Sequence, residues 1–446
     1  MSEKKNVPKL RFPEFTEPWE QRKLGDMGST FNGLSGKTKD DFGHGEAKFI
    51  TYMNVFSNPI ADLTMTESIE IDKKQKSVKA GDVFFTTSSE TPDEVGMSSV
   101  MPEDADNIYL NSFCFGYRPT EKFDLNYLAY VLRADSFRKE MTFLAQGISR
   151  YNISKNKVME VCIPVPTIEE QTKVGRYFRN LDHLITLHQR KLDHVKDLKK
   201  SMLQKMFPKN GQLYPEVRFP EFTDAWEQRK LGEISDKVTK KNQDVVVDEV
   251  FTNSAEYGII SQRDFFDKDI ANTENIDGYY VVEPNDFVYN PRISTTAPFG
   301  PIKRNKLERS GAMSPLYYVF RPNNVDLSYL EWFFQTSCWY PFMRFNGNSG
   351  ARSDRFAITD KIFNEMPISL PQDIEEQKRI GMFLTTLDTL ITLHQRKLGA
   401  INLTNAIVLF DNGYNPALAC ELIILKGVLT YAKHHYQKQH VILRLL

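Results

Sequence analysis

The chain has 446 residues, of which 41% are hydrophobic, and this length exceeds what a single hydrophobic core usually organises. We therefore expect two or more globular domains. Basic and acidic residues nearly cancel, 57 against 58, so the net charge of the chain neither indicates nor excludes a polyanionic partner, and any basic surface must be local.

The cysteines and the chain start indicate the compartment. The four cysteines form no C-x-x-C pair, which disfavours both a zinc site and a disulfide framework and suits a reducing cytoplasm. Residues 1–9 are polar and charged, and the most apolar stretch, residues 417–432, is interrupted by Glu421 and Lys426. We expect a cytoplasmic protein with no secretion signal and no membrane span. The cysteines are Cys114, Cys162, Cys338 and Cys420.

A duplication dominates the sequence. Residues 11–25 read RFPEFTEPWEQRKLG and residues 218–232 read RFPEFTDAWEQRKLG, so thirteen of fifteen positions match at an offset of 207. Such a period is far longer than the roughly 20–50 residues of solenoid repeats, and it indicates two tandem copies of one domain. Two further pairs match at an offset of 206, namely IEEQ at residues 168–171 and 374–377 and LITLHQRKL at residues 184–192 and 390–398.

Between the matched segments the two copies diverge. Residues 32–162 and 240–366 have nearly equal lengths but share little sequence. Short β-prone runs among Gly, Asn and Pro turns, together with helix-like stretches, predict mixed sheet and helix in both regions. A duplication that keeps its frame and changes its interior suits two similar modules that select two different ligands.

Each copy closes with a predicted long helix. Apolar residues recur at alternating steps of four and three, which is typical of a coiled-coil seam. About 40 residues at about 1.5 Å each give a rod of roughly 60 Å. Antiparallel packing of two such helices would place the variable regions at opposite ends, related by a pseudo-two-fold axis. The seam includes Leu181, Ile185, His188 and Leu192 in the first helix and Leu387, Ile391, His394 and Leu398 in the second.

The RFPEF and W-EQRKLG motifs, the IEEQ helix start, the LITLHQRKL core and their repetition together resemble the specificity subunit of a type I restriction-modification system. The resemblance covers residues 8–401. It implies the α+β fold class, with two mixed α/β target-recognition domains separated by long antiparallel coiled-coil helices in a pseudo-two-fold duplication. From about residue 402 the tail resembles neither the first copy nor the usual family ending. The expected segments are a first target-recognition domain at 8–166, a first spacer helix at 167–207, a linker at 208–217, a second target-recognition domain at 218–372, a second spacer helix at 373–401 and an atypical tail at 402–446.

The resemblance also implies a function and its partners. Each variable region would read one half of a bipartite, asymmetric site in double-stranded DNA, and the helices would fix the gap between the halves. DNA methyltransferase subunits, expected to be two, would dock on the helices and methylate a flipped adenine, while a restriction and translocation subunit would cut unmodified DNA. The chain itself would be no enzyme and would hold no cofactor. S-adenosylmethionine, ATP and Mg²⁺ would be bound by the partner subunits.

Candidate DNA contacts lie at matching places in the two variable regions. Arg150 and Tyr151 in the first region align with Arg355 and Phe356 in the second, and Arg352 stands nearby. A guanidinium fork beside an aromatic ring can pair with guanine or phosphate and can stack, although structural salt bridging is an alternative role.

A second candidate set follows the Gly81-Asp82 turn and the Asn285-Asp286 turn. Its residues differ between the copies, as reading residues should, although hydroxyl-rich surface turns are also common without any ligand. The set comprises Thr86, Thr87, Ser88 and Ser89 in the first region and Tyr289, Asn290, Arg292 and Ser294 in the second.

Catalytic signatures are missing. The chain has no Pro-Pro pair, which the Asn-Pro-Pro-Tyr pocket of a DNA methyltransferase requires, and Phe31 occupies the place of the first P-loop glycine before Gly36-Lys37-Thr38. His188 and His394 recur in both copies, but their seam positions favour packing over metal or acid–base chemistry. We expect no catalytic residue and no metal site.

Two other functions stay open. A coiled-coil protein-interaction scaffold that never touches DNA would suit the near-neutral charge. A stand-alone enzyme such as a nuclease would need a catalytic constellation that the sequence does not display.

Overall fold

The computed structural model describes residues 7–8, 11–209, 211–265, 276–349 and 354–409. The chain divides into two compact units. The first comprises residues 1–189 and 396–446, and the second comprises residues 190–395. The division falls inside the two long helices, so each helix contributes to both units.

The first unit contains the first variable region. Its strands are β1 (Glu20–Lys23), β2 (Gly28–Asn32), β3 (Phe42–Ile50), β4 (Thr66–Ile69), β5 (Val83–Thr86), β6 (Ser88–Ser89), β7 (Ser98–Val100), β8 (Ile108–Leu110), β9 (Cys114–Pro119), β10 (Tyr151–Asn152) and β11 (Cys162–Val165). Its helices are α1 (Tyr52–Ser57), α2 (Leu125–Val131), α3 (Asp135–Leu144), α4 (Lys155–Met159) and the first part of α5 (Ile168–Lys205). Short 3₁₀ turns lie at Leu24–Asp26 and Lys39–Asp41.

The second unit contains the second variable region. Its strands are β12 (Glu227–Lys230), β13 (Ser235–Lys237), β14 (Val250–Ser254), β15 (Gly258–Ser261), β16 (Tyr280–Val282), β17 (Phe287–Tyr289), β18 (Ile302–Arg304), β19 (Gly311–Met313), β20 (Tyr318–Pro322), β21 (Asn348–Ser349), β22 (Phe356–Ala357) and β23 (Pro367–Leu370). Its helices are α6 (Gln262–Phe265), α7 (Leu327–Phe333), α8 (Tyr340–Asn346), α9 (Asp360–Asn364) and most of α10 (Ile374–Leu409). Short 3₁₀ turns lie at Leu231–Glu233 and Gln243–Val245.

The two variable regions share a topology despite their different sequences. The four-stranded sheet β2-β9-β5-β7 of the first recurs as β13-β20-β17-β18 in the second. A second sheet, β4-β3-β8, corresponds to β15-β14-β19, to which β16 is added, and the pairs β3–β8 and β14–β19 are both parallel. This mixed sheet and helix confirms the predicted α+β class.

Strand β5 has three successive apolar residues, Val83, Phe84 and Phe85, because it lies between two cores. Val83 and Phe85 point into one core with Leu128, whereas Phe84 points into another with Ile50. Because successive side chains of a strand face opposite sides, a strand between two cores must be apolar throughout. The end of β5 is therefore held firmly, and that end leads into the candidate residues.

The repeated motifs join each long helix to its recognition domain. Arg11 donates from Nε and Nη2 to the two carboxylate oxygens of Glu170, both at 2.7 Å, and Arg218 forms the same fork with Glu376 at 2.7 and 2.8 Å. Such bidentate pairs fix orientation as well as distance. The repeated EQRK segments add backbone pairing, β1 with β11 and β12 with β23.

A glutamine and a glycine complete each joint. Gln171 Oε1 accepts a hydrogen bond from the Asp124 backbone N–H at 3.1 Å, and one turn later a Cβ at Gly175 would lie 2.5 Å from the Asp124 carboxylate. In the second unit Gln377 accepts from Asp326 at 2.9 Å, and Gly381 is similarly close to Ser328 and Tyr329. Each helix start is thus packed directly on the N-terminus of α2 or α7.

Within the second unit the end of α5 packs against α10 in the antiparallel sense that the sequence predicts. Lys199 donates to Asp388 at 2.5 Å, whereas Phe207, just beyond α5, packs on Trp226, whose indole N–H donates to Glu376. From residue 199 in α5 to residue 207 just beyond it, the neighbouring positions on α10 therefore go from 388 back to 376. None of the helices in the described residues combines the length and apolarity needed to cross a membrane.

Candidate nucleic-acid interface

In the first unit the two predicted DNA-contacting segments form one β-ladder. Tyr151 pairs with Ser89, and Asn152 pairs with Ser88. Asn152 also exchanges backbone hydrogen bonds with Gln146, so residues 146–152 form a hairpin whose second arm lies against the end of β5 and β6. Segments that stand about sixty residues apart in the sequence are thus adjacent.

The second unit repeats this arrangement with different residues. Arg292 pairs with Arg355, the Phe356 N–H donates to the Pro291 carbonyl at 2.8 Å, and the Ile293 N–H donates to the Asp354 carbonyl at 3.0 Å. Strand β22, which begins at Phe356, also pairs with β21, so a hairpin again carries the candidate arginine. Arg352 lies outside the described residues.

Burial separates the first-unit candidates into two groups. Thr86 is fully buried, and its hydroxyl accepts a hydrogen bond from the Met97 N–H at 3.0 Å. Ser88 and Ser89 are also buried, and Thr87 donates its hydroxyl hydrogen bond to the Phe113 carbonyl at 2.8 Å. These positions favour a supporting role for the four residues. Arg150 is exposed and Tyr151 is half-buried, so both can reach a ligand.

The second unit shows the same separation. Tyr289 is buried, its hydroxyl donates to the Phe299 carbonyl at 2.9 Å, and burial raises the pKa of that hydroxyl. Asn290 is half-buried, and its amide donates to the Asn253 carbonyl at 2.8 Å. Arg292, Ser294 and Arg355 are exposed. The exposed candidates of this unit therefore include two arginines that are directly paired through their backbones.

Two exposed apolar residues beside the ladders were not foreseen from the sequence. Phe113 is 57% exposed and its carbonyl accepts the Thr87 hydrogen bonds, while Leu316 is 60% exposed and lines a cavity of about 130 Å³ with Pro291 and Phe356. The two residues occupy matching turns before β9 and β20. Alignment of the shared Arg-Pro at the ends of these strands could have identified them.

An ion pair supports the base of each ladder. Arg118 donates from Nε and Nη2 to Asp82 at 2.7 and 2.5 Å, and Arg321 donates to Asp286 at 2.7 and 2.9 Å. These hydrogen bonds raise the pKa of both guanidinium groups. Both aspartates are buried at the turns that begin β5 and β17. The pairs fix the strands that carry the candidates, and because both arginines are engaged they are poorly placed to read DNA.

The residues of the predicted helix seam are buried or half-buried. Leu192, Leu387 and Leu398 are buried, and the other predicted seam residues are half-buried. His188 and His394 are among the half-buried ones, and across the described residues no group of three His, Cys, Asp or Glu side chains could hold a metal ion. The half-buried residues also include Leu181, Ile185 and Ile391.

Comparison with known proteins matches both copies. The profile of the family described as type I restriction modification DNA specificity domain matches residues 16–197 and 223–403. A protein of Methanocaldococcus jannaschii that carries the name MjaX specificity subunit of a type I restriction enzyme is 23% identical over 415 residues, covering 88% of this chain and 92% of that protein. The MjaVIII specificity subunit from the same organism is 27% identical over 84 residues, which are 19% of this chain and 20% of that protein.

A solved structure also matches. The crystal structure of a type I restriction-modification S subunit from M. genitalium has a TM-score of 0.53 at 13% identity, and the match covers 90% of this chain and 98% of that one. At this identity the likeness shows a shared fold.

Proposed function

The chain belongs to the family of the type I restriction modification DNA specificity domain, which it contains twice, and we propose that each domain reads one half of a bipartite, asymmetric DNA site. It is a DNA specificity subunit of a type I restriction-modification system, and the interaction-scaffold alternative is not favoured. One observation supports the proposal most directly: each domain has an equivalent β-ladder, and the exposed residues on the two ladders differ. The first offers Arg150 and Tyr151, and the second offers Arg292 and Arg355.

The chemistry of these side chains suits base readout. A guanidinium can donate two hydrogen bonds to O6 and N7 of guanine in the major groove, and one such contact contributes about 1–3 kcal/mol of discrimination. Arg150 stands beside a single aromatic ring, whereas Arg292 and Arg355 face each other across the ladder. We infer that the two half-sites differ because these donor arrangements differ, while the ladder beneath stays the same.

The long helices fit the role of spacers and docking sites. The 38 residues of α5 extend about 57 Å at about 1.5 Å per residue, a length that suits a spacer helix. Leu184 and Leu187 lie off the seam and are 40% and 36% exposed. Exposed leucines on a helix face are suited to a protein partner. We assign this face to methyltransferase subunits, one for each half of the complex.

The chemical steps belong to other subunits in this proposal. This chain recognises the DNA sequence, and methyltransferase subunits bind S-adenosylmethionine and methylate adenine. A restriction subunit uses ATP and Mg²⁺ to translocate and cut the DNA. The site of action is the cytoplasm, where the DNA is. Purified chain alone should therefore transfer no methyl group and cut no DNA.

Co-expression tests the proposed function. The chain is produced with a cognate methyltransferase subunit in a host free of other restriction systems, and N6-methyladenine is mapped by single-molecule sequencing. A methyltransferase-only strain is the control. A new bipartite, asymmetric motif in the co-expressing strain alone supports the proposal. Co-purification of the subunits without any motif contradicts it.

A further inference from the structure

One phenylalanine in each domain is exposed where an apolar side chain has no structural use. Phe143 is 84% exposed near the end of α3, and Phe345 is 90% exposed near the end of α8. Each lies three residues before the first arm of its hairpin, which begins at Gln146 in one domain and at Asn348 in the other. The two phenylalanines are therefore equivalent, although the domains around them have diverged.

The helices do not need these side chains for packing. Each phenylalanine follows a fully buried methionine by two positions, Met141 in α3 and Met343 in α8. Two residues of an α-helix span about 200°, so a side chain two positions from the buried face points away from it. Retention of phenylalanine at both positions then indicates a ligand outside the domain, and one that both domains share.

The surroundings favour DNA over a protein as that ligand. Next to Phe143 on the solvent side of α3 stand Lys139 and Glu140, and Phe345 follows Arg344, all of them exposed. A protein interface would need a broader apolar patch around the ring. In the first hairpin Ile148 is also exposed, at 97%. An aromatic ring next to a hairpin with an exposed arginine suits insertion as an apolar wedge between neighbouring base pairs, which unstacks them in part.

We propose that Phe143 and Phe345 each insert as an apolar wedge at a base step beside the half-site that their own hairpin reads, and partly unstack that step. The contact is the same in both half-sites and does not choose the base, whereas Arg150 and Arg355 supply selectivity. This inference rests on the proposed function, and it adds a second kind of contact, one that raises affinity without changing the recognised sequence.

The experiment uses the complex of the chain with its methyltransferase subunit. Affinity is measured by fluorescence anisotropy for a duplex carrying the mapped motif and for a scrambled duplex. Phe143→Ala and Phe345→Ala should each weaken binding to both duplexes by about tenfold, so the specificity ratio stays constant. The salt dependence should not change, because no charge is removed.

Phe143→Trp and Phe345→Trp should retain affinity within about twofold, since the ring is kept. Tyr257→Ala, at an aromatic residue that is 62% exposed in the turn before β15, is the matched control and should bind like wild type.

Three results would overturn the inference. The alanine variants could bind both duplexes as tightly as wild type does. They could instead lose the methyltransferase subunit during purification, which would assign the rings to a protein contact. They could also lose affinity for the motif alone, which would make the rings base-selective. Failure of the proposed function is separate, because there the wild-type complex itself would not distinguish the motif from the scrambled duplex.

Discussion

Arg218 donates two parallel hydrogen bonds to the carboxylate of Glu376, at 2.7 and 2.8 Å, and only 1% of the Glu376 side chain is exposed. The arginine comes from the first repeated motif, and the glutamate comes from the helix start some 150 residues later. Hydrogen bonding to Glu376 raises the pKa of the guanidinium. Such a bidentate pair fixes the orientation of the helix start on the body of the domain.

Breaking this pair should destabilise the second unit. Arg218→Ala leaves a buried carboxylate without its partner, so we expect the free energy of unfolding to fall by about 3 kcal/mol. The double variant Arg218→Met with Glu376→Leu should recover part of this loss, because no buried charge remains, while the buried indole N–H of Trp226 loses its acceptor. Urea unfolding followed by tryptophan fluorescence reports the change, and Lys230→Ala, in the exposed pair with Glu365, should leave the midpoint unchanged. An Arg218→Ala variant as stable as wild type would show that the joint does not depend on the pair.

The segment just beyond the end of α5 should be part of the second domain's core. Phe207 is 1% exposed and its ring lies 5.5 Å from that of Tyr329 and 6.2 Å from that of Phe333. Phe207→Ala should lower the free energy of unfolding by about 3–5 kcal/mol, since a cavity replaces the ring. Tyr214→Ala, at a residue that is 54% exposed, is the control and should cost less than about 0.5 kcal/mol. Equal effects of the two substitutions would contradict this placement.

Two glycines of α10 should respond to alanine in opposite directions. A Cβ at Gly381 would lie 2.9 Å from Ser328 and Tyr329, whereas a Cβ at Gly399 would meet nothing within 4 Å among the described residues. Gly381→Ala should therefore cost about 1–3 kcal/mol by forcing the helix away from α7. Gly399→Ala should instead gain about 0.5–1 kcal/mol from helix propensity. Thermal melting should show a lower melting temperature for Gly381→Ala and a higher one for Gly399→Ala. A shift of both variants in the same direction would contradict this prediction.

Asp72, in the loop after β4, should become protonated at a lower pH than an ordinary aspartate does. Hydrogen bonds from Lys37, the Lys74 backbone and Gln75 lower the pKa of Asp72 to about 2. A carboxyl whose folded pKa is depressed stabilises the fold above its ordinary pKa of about 3.9, and this contribution is lost as the pH falls toward about 2. NMR titration of aspartate-labelled protein should give that midpoint, and Lys37→Met should raise it. A wild-type midpoint near 4 would refute the lysine contact.

The sequence was informative where identical residues had identical tasks. The repeated Arg, Glu-Gln and Gly form the helix joint in both units, and the seam spacing predicted which faces of the helices are shielded. Between the two copies, Arg150 was aligned with Arg355 and the Thr86 segment with the Tyr289 segment, and in each unit the structure places the two selected segments side by side. Equivalent positions in a duplicated fold can be inferred from equal spacing, even when the residues differ.

The sequence did not predict which of the candidate side chains are buried and which are exposed. Thr86 and Tyr289 were candidates for DNA contact but are buried, because exposure at a strand end depends on which sheets cover its two faces. Phe143 and Phe345 were missed for the converse reason, since an apolar residue in a helix is expected to face the core. Their exposure becomes visible only once Met141 and Met343 are seen to occupy the buried face.

The most direct test of the account changes one hairpin at a time. Arg150→Ala and Arg355→Ala complexes are each co-expressed with the methyltransferase subunit, and their N6-methyladenine motifs are mapped by single-molecule sequencing. We predict that each substitution relaxes the motif at about one base pair in one half, a different half for each variant, and leaves the gap unchanged. Two results would contradict the assignment of one half-site to each domain. One is a single substitution that relaxes both halves of the motif, and the other is an unchanged motif with both variants.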